Sequence, residues 1–420
     1  MLLLRVRSLM QWIGIAGGTA TCLLLIGQIS AQDAPLEELF ERLDTDGDER
    51  LSSVELEAQG KKTGWVKFAD KDGDSVVSLV EAKDFFAKRR VSVADPASAP
   101  DGETSILVHE FPESSSVNEL GCRAAAEYSA QRNGYSALVM VDGQVVFERY
   151  DQGWGPAKPH RLASGTKSFS GAILSVGVKD GLLELDEPVA KTITEWTGDK
   201  ALEAITIRHL LSLTSGLSPG MVGMIPAYTD AIKLGKLDAM RRAPGDKFAY
   251  GPRPYQIFGE VIRRKLGLRE DLEFADPLEY LKARVFEPIG MEFAEWKRDA
   301  NGMPRLPSGA HLTAREWVKY GELLLNEGRV GDLELLDSET LKQCLRGSLA
   351  NPGYGLTFWL LDKDNERVAE RPWLKGAYMA AGAGKQKLYV LPQAGVVMVR
   401  QGESRQFEDL ELLDQLFKID

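Results

Sequence analysis

Two alternating apolar runs, residues 136–141 and 144–150, are joined by Asp142-Gly143. That dipeptide tolerates the left-handed backbone of a two-residue turn, so the runs are expected to pair as a β-hairpin. Strand-like runs return near the other end of the chain, at 386–390 and 395–400, around Pro392. Between these places, from Lys167 to about Leu325, the apolar spacing is helical; 117–131 also reads as a helix and 407–417 as a closing amphipathic one. Strands at both ends with helices between point to one α+β unit, an antiparallel sheet with a helical insertion, over 106–420.

Upstream, Arg5 and Arg7 precede an uncharged stretch at 8–30, and Ala31 offers a cleavage point. Residues 1–31 therefore read as a signal peptide for export (periplasmic, secreted or cell-surface). A retained anchor is the alternative, and with it the only expected membrane contact. A charged segment, 32–90, follows, and then a Pro-, Ala- and Ser-rich linker at 91–105. The net charge of −11 speaks against a nucleic-acid partner, which needs a basic face. Past the leader the only cysteines are Cys122 and Cys344, which read as free thiols, although export would permit a disulfide.

The charged segment carries one pattern twice. Asp44-Thr-Asp46-Gly-Asp48 is followed by Glu55 at loop position twelve, and Asp70-Lys-Asp72-Gly-Asp74 by Glu81 at the same offset. Carboxylates at positions one, three, five and twelve, with the main-chain carbonyls of Arg50 and Val76 at position seven, can wrap six to eight oxygens around calcium. Leu51 and Val77 are the apolar eighth residues, and Leu36, Phe40, Leu43, Trp65, Phe68, Phe85 and Phe86 flank the loops as helix faces. The segment resembles an EF-hand pair, which implies a small all-α domain binding calcium. It departs from the pattern at position six, where Glu49 and Ser75 replace the glycine that a left-handed turn favours.

In the main unit, Ser164-Gly-Thr-Lys167 is an S-x-x-K. On a helix, residues three apart share a face, so the lysine amine can reach the serine hydroxyl. Burial would lower the lysine pKa and let it accept the serine proton. The run from Ser164 to Val189 resembles the nucleophile helix of the serine β-lactamase and penicillin-binding-protein family, class C type. Further segments resemble that family in the same order: Thr214-Ser-Gly-Leu217, Tyr250-Gly-Pro252 with the helix after it, Thr313-Ala-Arg315, and Ala380-Ala381-Gly382 with its strand. The resemblance implies a β-lactamase/transpeptidase-like fold with a helical subdomain. It also implies Ser164 as nucleophile, Lys167 as base and Tyr250 as second base and proton donor, its pKa lowered by the lysine cation. The backbone N–H groups of Ser164 and Ala383 would form the oxyanion hole, and Ala381 and Gly382 would contact substrate. No cofactor is expected for this chemistry.

Two departures narrow the reading. Pro252 replaces the asparagine usual two residues after the tyrosine, and Ala380-Ala381-Gly382 replaces the Lys-Thr-Gly that holds a carboxylate. Both fit the family's esterases and short-amide hydrolases, 6-aminohexanoate-dimer hydrolases among them, better than β-lactamases or D,D-peptidases. Arg253 and Lys385 are candidates to replace the lost cation. A catalytically weakened binding protein and a calcium-dependent scaffold are the alternatives. Gly216-Leu-Ser218-Pro-Gly220 matches the nucleophile-elbow pattern but lacks a preceding strand signal.

Overall fold

The computed structural model describes residues 40, 43–58, 66–82, 104–221, 223–238 and 242–418. The leader at 1–31, most of the linker, and Leu36, Trp65, Phe85 and Phe86 lie outside the described residues. The chain divides into two compact units, 1–90 and 91–420.

In the first unit, β1 (Arg50–Ser52) pairs antiparallel with β2 (Val76–Ser78), with Leu51 opposite Val77. The short helices Ser53–Ala58 and Val66–Ala69 stand beside them. Phe40, Leu43, Leu51, Leu56, Val66, Ala69, Val77 and Ala82 form a common apolar core. The two apolar eighth residues thus join the acidic loops back to back, each between helical segments.

The second unit is built on a seven-stranded sheet. Its strands are β3 (Ser105–Val108), β4 (Gly134–Val141), β5 (Gln144–Tyr150), β11 (Trp359–Leu360), β12 (Tyr378–Gly382), β13 (Gln386–Leu391) and β14 (Val396–Gly402), in the order β11-β12-β13-β14-β4-β5-β3. Ser105, read as linker, begins β3 and pairs with Tyr150. The hairpin turns at Asp142 (φ 46°) and Gly143 (φ 80°), as that dipeptide demands. Strand β14 then lies against β4, Val397 opposite Met140. The end of the chain therefore completes the sheet that its beginning started.

Both faces of the central strands are covered, so the alternation expected of 136–141 and 144–150 gives way to continuous burial at 137–141 and 145–147. On one face, Val139, Val141, Val396 and Met398 pack with Cys122, Ala125, Leu412 and Leu416 from α1 (Glu119–Ala130) and the closing helix Asp409–Leu416. Gly121 permits that crossing: a Cβ there would lie 2.2 Å from the Leu416 carbonyl oxygen. On the other face, Gly321 of the helix Ala314–Leu325 seats against Val397 and Leu388.

The insertion contains α2 (Ser168–Lys179), α3 (Ile207–Leu211), α4 (Tyr228–Asp238) and α5 (Arg253–Leu266), with α6 (Ala314–Leu325) returning to the sheet. A small sheet, β6 (His160–Arg161), β8 (Ala310–Leu312) and β7 (Glu295–Trp296), ties the nucleophile segment to the start of α6. His209 closes a capping box with Thr206 at the start of α3. Cys122 and Cys344 are buried free thiols, each pushed up to about 12 by burial. No described helix is long and apolar enough to cross a membrane.

Candidate active site

Ser164 and Lys167 sit on a 3₁₀ turn, Ala163–Lys167, and not on the α-helix expected from the motif. The chain enters it through Ala163 in left-handed backbone (φ 46°) and continues as α2 from Ser168. A 3₁₀ turn eclipses residues three apart, which brings the two side chains closer to register than α spacing would. Thr166 locks the turn: its hydroxyl donates to the Ala163 carbonyl and accepts from the Ala310 N–H.

Lys167 is 3% exposed, and its Nζ lies 3.2 Å from Ser164 Oγ and 3.1 Å from the Pro307 carbonyl oxygen. No carboxylate pairs with it among the described residues. Burial alone brings its pKa down to about 7, so near neutrality a large fraction of the amine is unprotonated. The amine also faces the rings of Tyr250 (4.9 Å to the centroid) and Tyr255 (5.4 Å).

Tyr250 follows a different course from the one expected. Burial raises its pKa, and a hydrogen bond with Ser164 opposes that only in part. The expected lowering by a lysine cation fails because Lys167 is itself desolvated and meets the ring face. The two pKa values are pushed apart, which suits the lysine to accept a proton and the phenol to donate one.

The end of β12 abuts the nucleophile turn. A Cβ on Gly382 would lie 2.0 Å from the Leu162 carbonyl oxygen and 3.0 Å from the Gly165 nitrogen. Gly382 is thus a point of close backbone approach, and Ala383 follows it directly into the turn. The N–H groups of Ser164 and Ala383 make no backbone hydrogen bond among the described residues. Ala381 is half-buried beside them and Ala380 is buried. Pro252, which replaces the asparagine usual in the family, occupies the N-cap position of α5 and makes no side-chain capping bond.

Cations near this strand are already engaged. Lys385 donates to the Phe407 carbonyl (3.1 Å). Lys387 pairs with Asp409, and the fully buried Arg400 donates to the carbonyls of Gly384, Lys385 and Arg132. Arg161 pairs with Glu403, which borders Gly384. Arg253 is buried in the first turn of α5.

Sequence reasoning assigned no site role to Tyr354 or Trp359. Tyr354 lies just before β11 and Trp359 begins it, far in sequence from Tyr250. Tyr354 contacts Phe248 (5.2 Å), Tyr250 (6.1 Å) and Trp359 (4.9 Å). Its hydroxyl is 2.8 Å from that of Tyr255, which lies 3.1 Å from the Leu211 carbonyl oxygen. Only the aromatic character of the segment signalled these residues. The Gly216–Gly220 segment is an irregular loop between α3 and α4, not a strand–turn–helix elbow.

In the first unit, ligand oxygens of Asp44, Asp46 and Asp48 lie within 4.8 Å of one another, and so do those of Asp70, Asp72 and Asp74. Glu49 (φ 62°) and Ser75 (φ 71°) adopt left-handed backbone. Against the upward push of burial, N–H groups of Ser52 and Thr45 hold Glu55 at about 2, and those of Lys71 and Ser78 do the same for Glu81. The Arg50 guanidinium reaches across to Asp74.

An antiparallel sheet backed by helices, with a half-buried serine and a buried lysine paired beside strand β12, defines the β-lactamase/transpeptidase-like fold. Residues 122–410 match the Beta-lactamase family, a family of serine hydrolases, and this chain belongs to it. An uncharacterized protein of Alkalihalophilus pseudofirmus is 24% identical over 64% of this chain and 83% of its own length. Protein flp of Staphylococcus aureus is 27% identical over 40% of this chain, which spans only 36% of that protein. Among solved structures, a protein provisionally assigned as a 6-aminohexanoate-dimer hydrolase from Bacillus anthracis superposes with a TM-score of 0.58 at 20% identity, covering 75% of this chain and 89% of its own. EstCE1, a hydrolase with promiscuous acyltransferase activity, gives 0.56 at 17%, covering 71% and 98%. A class C β-lactamase mutant gives 0.55 at 13%, covering 70% and 95%.

Proposed function

We propose that this chain is an exported serine hydrolase that cleaves esters or short amides through an acyl-enzyme, and that it carries a calcium-binding appendage. The observation that carries the hydrolase reading is the 3.2 Å approach of a buried Lys167 amine, brought down to about 7, to the Ser164 hydroxyl.

In acylation, Ser164 Oγ attacks the substrate carbonyl carbon and its proton passes to Lys167. The N–H groups of Ser164 and Ala383 receive the developing oxyanion. Tyr250 protonates the leaving alcohol or amine as the carbonyl re-forms. In deacylation a water molecule attacks the acyl carbon and gives its proton to the Tyr250 phenolate. The Ser164 oxygen departs and recovers its proton from Lys167, so the site returns to its starting state.

The loss of the third-motif lysine and the engagement of Lys385 favour substrates without a carboxylate over β-lactams and D-Ala-D-Ala peptides. A fluorophosphonate probe tests the nucleophile: it should label the folded protein and fail on Ser164→Ala. Labelling that survives Ser164→Ala removes the assignment, and no labelling of folded protein favours the binding-protein alternative. A panel of a short-chain p-nitrophenyl ester, a linear amide, a chromogenic cephalosporin and a D-Ala-D-Ala peptide then ranks substrates, with the ester expected fastest.

The first unit offers an all-oxygen donor set in each loop: Asp44, Asp46, Asp48, the Arg50 carbonyl and Glu55, then Asp70, Asp72, Asp74, the Val76 carbonyl and Glu81. Such hard donors suit calcium. Calorimetry with calcium should give binding heat that Asp44→Ala with Asp70→Ala abolishes; no heat in the native protein ends this part of the reading. Export rests on residues 1–31 and is tested by fractionation.

A further inference from the structure

Two half-buried aromatic rings flank Tyr250, the group assigned to protonate the leaving alcohol. Tyr250 has Phe248 at 6.3 Å and Trp359 at 5.6 Å, and those two rings lie 6.2 Å apart. Tyr354, 1% exposed, touches all three and is anchored by its hydroxyl to Tyr255. Phe248, Tyr250 and Tyr255 belong to the helical insertion, whereas Tyr354 and Trp359 belong to the chain entering the sheet. The wall is thus clamped from both sides, Phe248 and Trp359 each keep part of their surface exposed, and Tyr250 between them is hydrogen-bonded to Ser164.

Lys385, Lys387, Arg400 and Arg161 are all committed to carbonyls or carboxylates, and Glu403 borders the turn after Ala383. A flat uncharged ring would stack on Trp359 and Phe248.

We infer that Phe248 and Trp359 form the subsite for an uncharged, ring-bearing leaving alcohol. The inference rests on the acyl-enzyme reading above, because Tyr250 marks the leaving-group side.

The test compares benzyl acetate with ethyl acetate, which share one acyl group, by titrating released acid with the full chain. The native protein should prefer the benzyl ester in kcat/KM by about tenfold or more beyond the ratio of their hydroxide-catalysed rates, the scale expected of an apolar pocket. Trp359→Ala and Phe248→Ala should each cut that preference by about fivefold, mainly through KM, and Trp359→Phe should restore most of it. Melting temperature reports folding, with Trp359→Leu used should the alanine variant unfold. A native preference no greater than the chemical ratio overturns the subsite, and so does a preference untouched by both alanine variants that still label at Ser164. Absence of Ser164-dependent labelling in the native protein overturns the acyl-enzyme reading and the subsite with it.

Discussion

The Lys167 amine lies 4.9 Å above the centre of the Tyr250 ring, so the two residues meet across a π face. A ring face offers the ammonium weak electrostatic support and the phenolate none. Burial therefore acts on each group nearly alone, taking the lysine down and the tyrosine up.

The first consequence is a pH profile. If unprotonated Lys167 takes the serine proton, kcat/KM is low in acid and rises as pH passes about 7, where the amine loses its proton. The fall at the alkaline end, from loss of the Tyr250 proton, lies above 10, the ordinary tyrosine value. Ester hydrolysis from pH 5 to 10 checks this; a flat profile between 6 and 9 contradicts it.

A second expectation concerns stability. Between about 7 and the ordinary lysine value of 10.5, the unfolded chain holds a proton that the folded site gives up. Stability should thus rise with pH across that window, and the penalty is complete below it. Lys167→Met removes the penalty, so it should abolish fluorophosphonate labelling while raising stability near neutrality by more than about 1 kcal/mol. Denaturant unfolding at pH 7 measures it, and a less stable methionine variant would refute the account.

Tyr250→Phe keeps the ring and the contacts with Tyr354 and Trp359 while removing the proton donor. Acyl-enzyme turnover should fall by about 10²–10⁴-fold in kcat with a small change in KM. Steady-state kinetics decide; a near-native kcat would move the donor role elsewhere.

Thr357 is a β-branched residue at φ 84°, 3% exposed, two positions before Trp359. Left-handed backbone costs such a residue on the order of 1–2 kcal/mol. Its hydroxyl offsets little, reaching the Ser168 carbonyl only at 3.5 Å. Thr357→Gly should raise the melting temperature by about 2–4 °C. Calorimetric melting tests it, and a lower melting temperature would mean that Thr357 packing outweighs the backbone strain.

In the first unit, the Arg50 guanidinium pairs with Asp74, a carboxylate of the proposed second calcium loop, and would compete with the ion. Arg50→Ala should tighten calcium binding there by about twofold to fivefold, the scale of an exposed ion pair. Calorimetric titration of the variant against the native protein checks it, and weaker binding would count against the competition.

Much of this architecture was legible in the order of residues because its causes are local. Asp142-Gly143 turns a hairpin by its own backbone preference, and the spacing of Asp44, Asp46, Asp48 and Glu55 gathers carboxylates within one loop. The separation of Ser164 and Lys167 brings serine and amine together on any helical turn. What tertiary structure decided comes from segments that meet only after folding. Pro307 supplies the carbonyl at Lys167, Gly382 brings β12 against the nucleophile turn, and Tyr354 packs edge-on against Tyr250 from a distant stretch of chain. The pKa of Lys167 belongs to this second kind, because desolvation depends on everything packed around a group and not on its neighbours in the chain.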